Sequence, residues 1–431
     1  MAIKVKSATV RPSQISTSAN WPTVRFGDVV RDVKLTVDRE TTDLTRFIAG
    51  EHMGSEDLHL RTWGDINENY LGPAFHRLFR KGQVLYGSRR TYLKKVAVAS
   101  FDGICANTTF VLESRDPNFL LPDLLPFIML TDGFTQHSIR ESKGSVNPYI
   151  NWKDIAKYEF PLPPKDEQRR IAEILWTADE ACEHLLYVVA SSSDFSTTLV
   201  SHMWKNGISP ESRQETVIGP IPASWKVAPL ADFTVESAYG PRFSGNEYSP
   251  TGNVQSVRTT DFDRRGGLTL ATAPFANLPN DVISKHRLLP GDFLLSRTGE
   301  YAGLTATFKE SSGCYVAAAF LIRFHLDSKR LLSDYLVNLC YSDFGKRFVL
   351  RLVTGSAQPN INGSDMLALK IPVPPLDVQR RIIQMADQAK STVDAARSNL
   401  NSCKHLARTI ANELLLTRIH AFHTSRTCDG P

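Results

Sequence analysis

The sequence predicts an α+β fold in which one unit occurs twice, each unit being a globular domain followed by a long helix. Three observations predict it: a segment repeated at a constant offset, a proline-rich stretch ending each globular part, and apolar residues at helical spacing after it. The 431 residues are enough for two to four domains. With 42% hydrophobic and 22% charged residues, the chain has the composition of a globular protein, which excludes wholesale disorder.

The repeat is visible without alignment. Residues 144–171 read GSVNPYINWKDIAKYEFPLPPKDEQRRI, and residues 355–382, offset by 211 without a gap, read GSAQPNINGSDMLALKIPVPPLDVQRRI. Weaker similarity extends upstream. Trp21 corresponds to Trp225, residues 81–92 resemble residues 290–301, and Cys105 corresponds to Cys314. A repeat of this length indicates two copies of one structural unit. The predicted boundaries are a tail at 1–20, a first domain at 21–164, a first helix at 165–206, a linker at 207–224, a second domain at 225–375, a second helix at 376–420 and a tail at 421–431.

Each globular domain ends at a PxPP segment, because proline can neither donate to a β-ladder nor continue a helix. The acidic residues that follow, Asp166, Glu167 and Asp377, suit the first turn of a helix. Apolar residues then recur at alternating steps of four and three, which predicts helix-on-helix packing. In the first helix this seam weakens at Ser192 and Ser196 before it resumes at Leu199. A plain amphipathic helix packed on a globular core is the alternative.

The charges of the two helices favour pairing with each other. Residues 165–205 carry seven acidic and four basic side chains, whereas residues 376–420 carry four acidic and seven basic ones. Opposite net charges favour a mixed pair over two self-pairs.

The remaining composition limits the class of protein. A formal net charge of +5 permits a nucleic-acid partner without requiring one. The six cysteines are dispersed without zinc-type spacing, so we expect them reduced. The first ten residues lack the apolar core of an export signal, and Pro122, Asp123 and Pro126 interrupt the longest apolar stretch. We therefore expect a cytoplasmic protein that has no membrane partner.

The segments PLPPKDEQRRIAEIL and PVPPLDVQRRIIQMA resemble the proline–glutamine signature of type I restriction-modification specificity subunits. The stretch TVIGPIPASW at 216–225 is similar to the entry into the second domain of that family. The resemblance covers nearly the whole chain. One departure is Val378, which stands where the first copy has the acidic Glu167.

The resemblance implies a DNA-reading scaffold without chemistry of its own. Two target-recognition domains would each read one half of a split, asymmetric sequence in double-stranded DNA. The two helices would form an antiparallel coiled coil, related by an internal pseudo-twofold repeat, that spaces the domains and docks two methyltransferase (modification) subunits. Those subunits would bind S-adenosylmethionine, and restriction subunits in the full complex would use ATP and Mg²⁺. The chain itself would bind no cofactor and no metal, and would have no catalytic residue.

Other functions can be constructed from weaker motifs. Asn147-Pro148-Tyr149 is similar to the motif of an amino-methyltransferase but lacks its second proline. Asp123, with Glu141 and Lys143, has the spacing of a nuclease metal site. A DNA-modifying enzyme carrying its own active site, and a coiled-coil scaffold without DNA contact, therefore stay open as alternatives.

Two sets of residues are the site candidates. DNA is contacted mainly by basic, amide and hydroxyl side chains. The DNA-binding candidates are Arg89, Arg90, Tyr92, Lys94, Lys143, Ser145, Arg242, Arg258, Arg264, Arg265, Arg297, Thr298 and Ser356. The candidates for partner binding or the helix seam are Gln168, Ile171, Leu175, Leu185, Gln379, Ile382, Val393, Leu400 and Ile410.

Overall fold

The computed structural model describes residues 21–38, 41–68, 71–355 and 359–416, and it divides into two compact units. Residues up to Leu185 and from Asn399 form unit 1, and Leu186–Ser398 form unit 2. The predicted tails, the last predicted helical residues 417–420 and the candidate Ser356 lie outside the described residues. Among the described residues, none of the helices combines the length and the apolar composition of a membrane span.

Unit 1 is a mixed α/β domain that ends in a long helix. Its elements, in chain order, are β1 Thr23–Arg25, α1 Phe26–Val29, β2 Val30–Asp32, β3 Arg46–Ile48, β4 Gly64–Asp65, β5 Phe75–Phe79, β6 Val84–Gly87, β7 Val96–Val98, β8 Gly103–Ala106, β9 Thr109–Ser114, α2 Leu125–Leu130, α3 Asp132–Arg140, α4 Trp152–Ile155, β10 Glu159–Pro161 and α5 Lys165–Asn206, whose residues from Leu186 belong to unit 2.

Unit 2 has a similar order of elements. Its elements are β11 Arg213–Gln214, β12 Ile221–Pro222, β13 Lys226–Pro229, β14 Thr234–Tyr239, β15 Val254–Val257, β16 Phe275–Ala276, α6 Asn280–His286, β17 Phe293–Ser296, β18 Thr305–Thr307, β19 Tyr315–Ala317, β20 Leu321–Leu326, α7 Ser333–Tyr341, α8 Asp343–Arg351, α9 Gly363–Ala368, β21 Lys370–Val373 and α10 Leu376–Leu416, whose residues from Asn399 belong to unit 1. Among its described residues, unit 2 has an additional ribbon β11-β12 before its domain, no α-helix in the place of α1, and the helix α6 where unit 1 has the strand β5.

The sheets of the two units have similar topologies, except that the second sheet of unit 1 has a fourth strand, β5, paired with β8. Unit 1 has an antiparallel sheet in the order β2-β9-β6-β7, and unit 2 has β14-β20-β17-β18. A second sheet pairs β3 with β8 in parallel and β3 with β4 antiparallel, and unit 2 repeats both pairings with β15, β19 and β16. A two-stranded ribbon, β1-β10 or β13-β21, leads into each long helix. The repeat seen in the sequence is therefore a repeat of structure.

Each long helix begins immediately after its PxPP segment, at Lys165 and at Leu376. One glutamine in the first turn fastens each helix to its domain. Gln168 is 1% exposed, accepts a hydrogen bond from the Leu121 amide at 2.7 Å, and donates to the carbonyls of Phe119 and Pro163, both at 2.9 Å. We expected Gln168 among the partner-binding or seam residues, and the structure places it inside its own domain instead.

Gln379 repeats the arrangement in unit 2. It is fully buried, accepts from the Leu332 amide at 2.9 Å, and donates to the carbonyls of Arg330 and Pro374, both at 2.9 Å. All three partners stand 211 residues after those of Gln168. Gln379, like Gln168, attaches its helix to its own domain and is not a residue of the helix seam. We call each of these glutamines, with its three hydrogen bonds, a staple. A buried amide satisfied on both sides stabilises and orients the junction.

Within each unit, α5 and α10 run in opposite directions against each other. In unit 1, early α5 residues share the core with late α10 residues such as Ala411 and Leu415, and the Sγ atoms of Cys182 and Cys403 are 2.9 Å apart. In unit 2, late α5 residues share the core with early α10 residues. The predicted seam residues are buried or half-buried, as expected: Ile171, Leu175, Ile382, Val393 and Leu400 are buried, and Leu185 and Ile410 are half-buried.

A tryptophan cluster holds the unit 2 domain against α5. Trp204 near the end of α5 is 1% exposed, and its ring centroid lies 4.5 Å from that of Tyr335 and 6.3 Å from that of Trp225. Burial of three aromatic side chains is a large part of the hydrophobic stabilisation of this junction. The linker entering the second domain is thus anchored at Trp225, the residue that the sequence repeat singled out.

Candidate nucleic-acid interface

Two loops of the first domain, residues 88–92 after β6 and residues 143–151 before α4, form one polar surface that we call the first platform. The loop after β6 carries Arg89 and Arg90, and the loop before α4 carries the repeated GSxxPxIN segment. The Arg90 amide donates to the Pro148 carbonyl at 2.7 Å, and the Ile150 amide donates to the Ser88 carbonyl at 2.9 Å. These bonds bring Lys143 and Ser145 into the same loop pair as Arg89 and Arg90, so the structure joins two clusters that the sequence only suggested separately.

The second domain builds the same platform from its own loops. The Gly299 amide donates to the Pro359 carbonyl at 2.9 Å, and the Ile361 amide donates to the Arg297 carbonyl at 2.8 Å. The backbone of the two platforms is therefore shared. The side chains are not, because Arg89 corresponds to Thr298 and Arg90 to Gly299.

The first platform exposes cations beside an aromatic ring. The Arg89 guanidinium lies 5.9 Å from the ring centroid of Tyr149, within the range of a cation–π contact. Arg90 is exposed and has a left-handed backbone with φ of 50°. Tyr92 is 53% exposed. These groups have the donor chemistry that suits phosphates and base edges.

Lys143 and Ser145 complete the first platform. The Lys143 ammonium is half-exposed and lies 3.6 Å from the buried carboxylate of Asp154. Burial would raise the pKa of Asp154, but hydrogen bonds from Lys157 and Asn151 and the charge of Lys143 lower it below its ordinary value. Ser145 is exposed next to Gly144, whose φ of 88° a glycine adopts without strain.

The second platform orients a single arginine. The Arg297 Nη2 donates to the Asn360 Oδ1 at 3.2 Å, and its guanidinium lies 4.8 Å from the ring centroid of Tyr239. The Tyr239 hydroxyl accepts a hydrogen bond from the Gly363 amide at 2.9 Å, which fixes the ring. Thr298 is half-buried beside them. A guanidinium held in one orientation is suited to bidentate recognition.

Lys94 does not belong to the interface, contrary to expectation. It is 7% exposed, and its ammonium forms ion pairs with Glu56 at 2.9 Å and with Asp132 at 3.1 Å. Asp132 is also paired with Arg408 of α10. Although burial opposes it, hydrogen bonds from Arg408 and Lys94 lower the pKa of Asp132, which favours its carboxylate form. Lys94 therefore joins the domain to the helix.

Three arginines of the second domain also have internal partners. Arg258 closes a turn by donating to the Asp261 Oδ1 at 3.0 Å and to the Thr272 carbonyl at 2.9 Å. Arg264 pairs with Glu300 at 2.6 Å, and Arg265 pairs with Asp394 of α10 at 2.7 Å. Arg242, in contrast, is exposed. The pairings of Arg264 and Arg265 could not be predicted from the sequence, because their partners are distant along the chain.

The two catalytic motifs have ordinary structural roles. The tripeptide at 147–149 belongs to the platform loop, in which Tyr149 and Lys143 exchange backbone hydrogen bonds at 2.8 and 2.9 Å. Asp123 lies within the 3₁₀ turn Pro122–Leu124, and Glu141 pairs with Arg140 at 3.2 Å. Within the described ranges, no three His, Cys, Asp or Glu side chains form a group that could hold a metal ion.

Sequence reasoning missed two aromatic surfaces. In the first domain, the Arg46 guanidinium lies 4.4 Å from the ring centroid of the half-exposed Trp63. In the second, Phe243, Tyr248 and Phe320 line a pocket. Exposed aromatic side chains are the only signal that could have found them, and it is weak in sequence because most aromatic residues are buried.

Comparison with known proteins identifies the relatives of this chain. The model of the family "Type I restriction modification DNA specificity domain" matches residues 37–186 and 222–402. The chain is 22% identical to the type I restriction enzyme MjaVIII specificity subunit of Methanocaldococcus jannaschii, over 93% of both chains.

Two solved structures share the fold. A chain of a type I R-M system, solved in work on complex assembly and conformational transition, has a TM-score of 0.61 at 19% identity and covers 92% of this chain and 97% of its own length. The type I restriction-modification S subunit from M. genitalium has a TM-score of 0.51 at 13% identity and covers 92% and 96%.

Proposed function

The chain belongs to the type I restriction modification DNA specificity domain family, and from this premise we propose that it is the sequence-reading subunit of a type I restriction-modification complex. It has no catalytic role of its own. Each globular domain, at 21–164 and 225–375, reads one half of a bipartite, asymmetric site in double-stranded DNA. The observation that carries this proposal is the shared platform backbone with different side chains, Arg89 and Arg90 in one copy and Thr298 and Gly299 in the other.

A common backbone with different side chains suits two independent readers. The backbone sets the position of the loop pair on DNA, and the side chains set which bases are accepted. Because the platforms differ at equivalent positions, we expect the two half-sites to differ in sequence. We place Arg89, Arg90, Tyr92, Lys143, Ser145, Arg242, Arg297 and Thr298 in this role.

We further propose that the opposed helices form one antiparallel coiled coil, related by a pseudo-twofold repeat, that spaces the two domains and docks two methyltransferase subunits. Restriction subunits join in the full complex. S-adenosylmethionine, ATP and Mg²⁺ are bound by these partners, and the complex works in the cytoplasm. The opposed directions of α5 and α10 within each unit support the coiled coil.

Methylome sequencing of cells that carry the complex tests the reading role. Replacing residues 22–143 with the matching region of another specificity subunit should change one half of the methylated motif and leave the other half and the spacer unchanged. Arg297→Ala should weaken binding by about 1–3 kcal/mol if the arginine makes a bidentate base contact. A domain exchange that changes both halves together would contradict independent reading.

The spacing role has its own test. Seven residues inserted after Tyr187 and seven after Ser398 preserve the seam and lengthen the helix pair by about 10 Å at 1.5 Å per residue. The spacer should grow by about three base pairs at ~3.4 Å each. The matched control places the same seven residues after Ser209, in the linker, where the spacer should stay the same. An unchanged spacer in the helix variant would show that the helices do not set it.

A further inference from the structure

Unit 2 contains a basic cleft between its globular domain and its two helices. The loop after Phe262, the helices α7 and α8, and the unit 2 parts of α5 and α10 all line it. Its charged side chains are five cations and one carboxylate: Arg264, Arg265, Lys346, Lys390, Arg397 and Asp394. The cleft therefore has a large excess of positive charge.

Carboxylates of the chain compensate the positive charge only in part, because Glu300, which does not line the cleft, pairs with Arg264 alone, at 2.6 Å. Asp394 serves two arginines, with its Oδ1 at 2.7 Å from the Arg265 Nη1 and 3.9 Å from the Arg397 Nη1. The Lys390 ammonium contacts only the Arg265 carbonyl, at 3.3 Å. In the part of the chain that the structure describes, neither Lys390 nor Lys346 forms an ion pair. Like charges gathered in this way destabilise one another unless an anion joins them.

Hydroxyl groups face the same cleft. Ser193, Ser196 and Thr197 line it from α5. They occupy the stretch in which the apolar seam of the first helix weakens. Hydroxyl side chains in a helix seam contribute less packing energy than apolar ones. A role other than helix packing, such as ligand binding, would account for them. The Thr197 hydroxyl donates to the Ser193 carbonyl at 3.0 Å, so the two serine hydroxyls are the donors offered to a ligand. Hydroxyl donors beside guanidinium and ammonium groups form a typical oxyanion site.

The equivalent cleft of unit 1 shows that the fold does not require this charge. Most of its lining positions on the helices match at the 211-residue offset, where Asp179 replaces Lys390, and Glu56 replaces Arg265 at the 209-residue offset that relates Cys105 to Cys314. Its four lining carboxylates are paired: Asp179 lies 2.8 Å from His59, Glu56 2.9 Å from Lys94, and Asp57 and Glu183 both contact Arg61. Only one of two homologous clefts is therefore basic and under-compensated.

We infer that the basic cleft of unit 2 binds phosphate groups. Guanidinium, ammonium and hydroxyl groups together can donate to the several oxygens of a phosphate and balance its charge. A single carboxylate has only two oxygens and one charge, so it would need fewer donors and fewer cations. The phosphates come either from the DNA backbone or from a free polyphosphate, since both present the same groups. The inference goes beyond sequence reading, because none of the platform side chains lines the cleft.

Calorimetric titration of the full chain with inorganic tripolyphosphate tests the inference. At 50 mM NaCl we expect one saturable site. Lys390→Gln should weaken it about tenfold or more, because a charge-assisted hydrogen bond is lost. Lys404→Gln is the matched control, since Lys404 lines the equivalent cleft of unit 1, and it should leave the affinity unchanged. If Lys390→Gln unfolds at a lower temperature than the parent, Lys346→Gln replaces it, with the same expected loss.

Competition with a short duplex that lacks the recognised sequence separates the two sources. Displacement of tripolyphosphate by the duplex, with a salt slope smaller by about one in Lys390→Gln, assigns the cleft to the DNA backbone. Duplex binding that ignores both tripolyphosphate and the variant assigns it to a free polyphosphate. The absence of saturable binding, equal affinity in Lys390→Gln, an equal loss in Lys404→Gln, or preference for a hexaglutamate peptide would each overturn the inference. None of these results depends on methylation of the recognised motif.

Discussion

Replacing Gln168 with alanine is expected to lower the free energy of unfolding of unit 1 by about 3 kcal/mol. The side chain makes three hydrogen bonds, to the Leu121 amide and to the carbonyls of Phe119 and Pro163, and it is 1% exposed. Each neutral bond contributes about 1 kcal/mol net. Burial excludes the water that would otherwise replace the lost partner, so the cost should not fall far below that sum.

A charged replacement should be at least as damaging. Gln168→Glu keeps an acceptor for the Leu121 amide but places a carboxylate against the carbonyls of Phe119 and Pro163. A buried charge facing acceptors is strongly disfavoured. The stability of this variant should recover partly as the pH falls and the carboxylate is protonated, whereas that of Gln168→Ala should not show this recovery.

Urea unfolding of the full chain gives the free energies, and hydrogen exchange at residues 119–123 reports the Leu121 amide directly. Arg169→Ala is the matched control, because Arg169 pairs only with the fully exposed Asp166 and should cost less than about 0.5 kcal/mol. If Gln168→Ala costs no more than Arg169→Ala, or if Leu121 keeps its protection, the staple has no energetic role and the reasoning is wrong.

Three further outcomes are expected. Mild oxidation should join Cys182 to Cys403 within one chain, seen as a shift on a non-reducing gel, because their Sγ atoms are 2.9 Å apart; a monomer that never crosslinks contradicts the helix register of unit 1. Arg90→Gly should stabilise the first domain by about 0.5–1 kcal/mol in urea unfolding, by relieving a left-handed backbone, and should weaken DNA binding; a loss of stability would show that no strain is relieved. The hydrogen bond and charge of Asp179 raise the pKa of His59, so His59→Asn should lower the melting temperature more at pH 6 than at pH 8.5, and an equal loss at both would exclude a charged pair.

Local signals explain what the sequence predicted well. Proline at 161–164 and 372–375 and a sustained seam predicted two helices, and the helices run Lys165–Asn206 and Leu376–Leu416. These signals depend on residues that are close together in the chain, so they predict a helix without knowledge of the rest of the fold. The strands, in contrast, are two to six residues long, so their alternation is too short to indicate a sheet order, and the sequence supported only a general α+β class.

Long-range pairing explains what the sequence missed. Lys94 and Arg265 stand in polar stretches of sequence that are typical of exposed loops. In the structure, Lys94 pairs with Asp132 and Arg265 pairs with Asp394. An exposed basic residue and a basic residue held by a distant carboxylate cannot be distinguished without the fold. Gln168 and Gln379 were visible in sequence only as a repeated glutamine. One partner of each is a proline of the repeated PxPP segment, whereas the other two partners lie upstream of the repeated segment, where the sequence did not single them out.

The staples and the platforms separate two requirements of one domain. Gln168 and Gln379 bind equivalent backbone groups in both copies, so the attachment of each domain to its helix is the same. The platform side chains, such as Arg89 and Thr298, differ between copies on a shared backbone. No partner of either glutamine lies in a platform loop. The side chains that would select bases can therefore change without altering the bonds that fix the domain on its helix, which is the property a family of readers with one architecture and many targets requires.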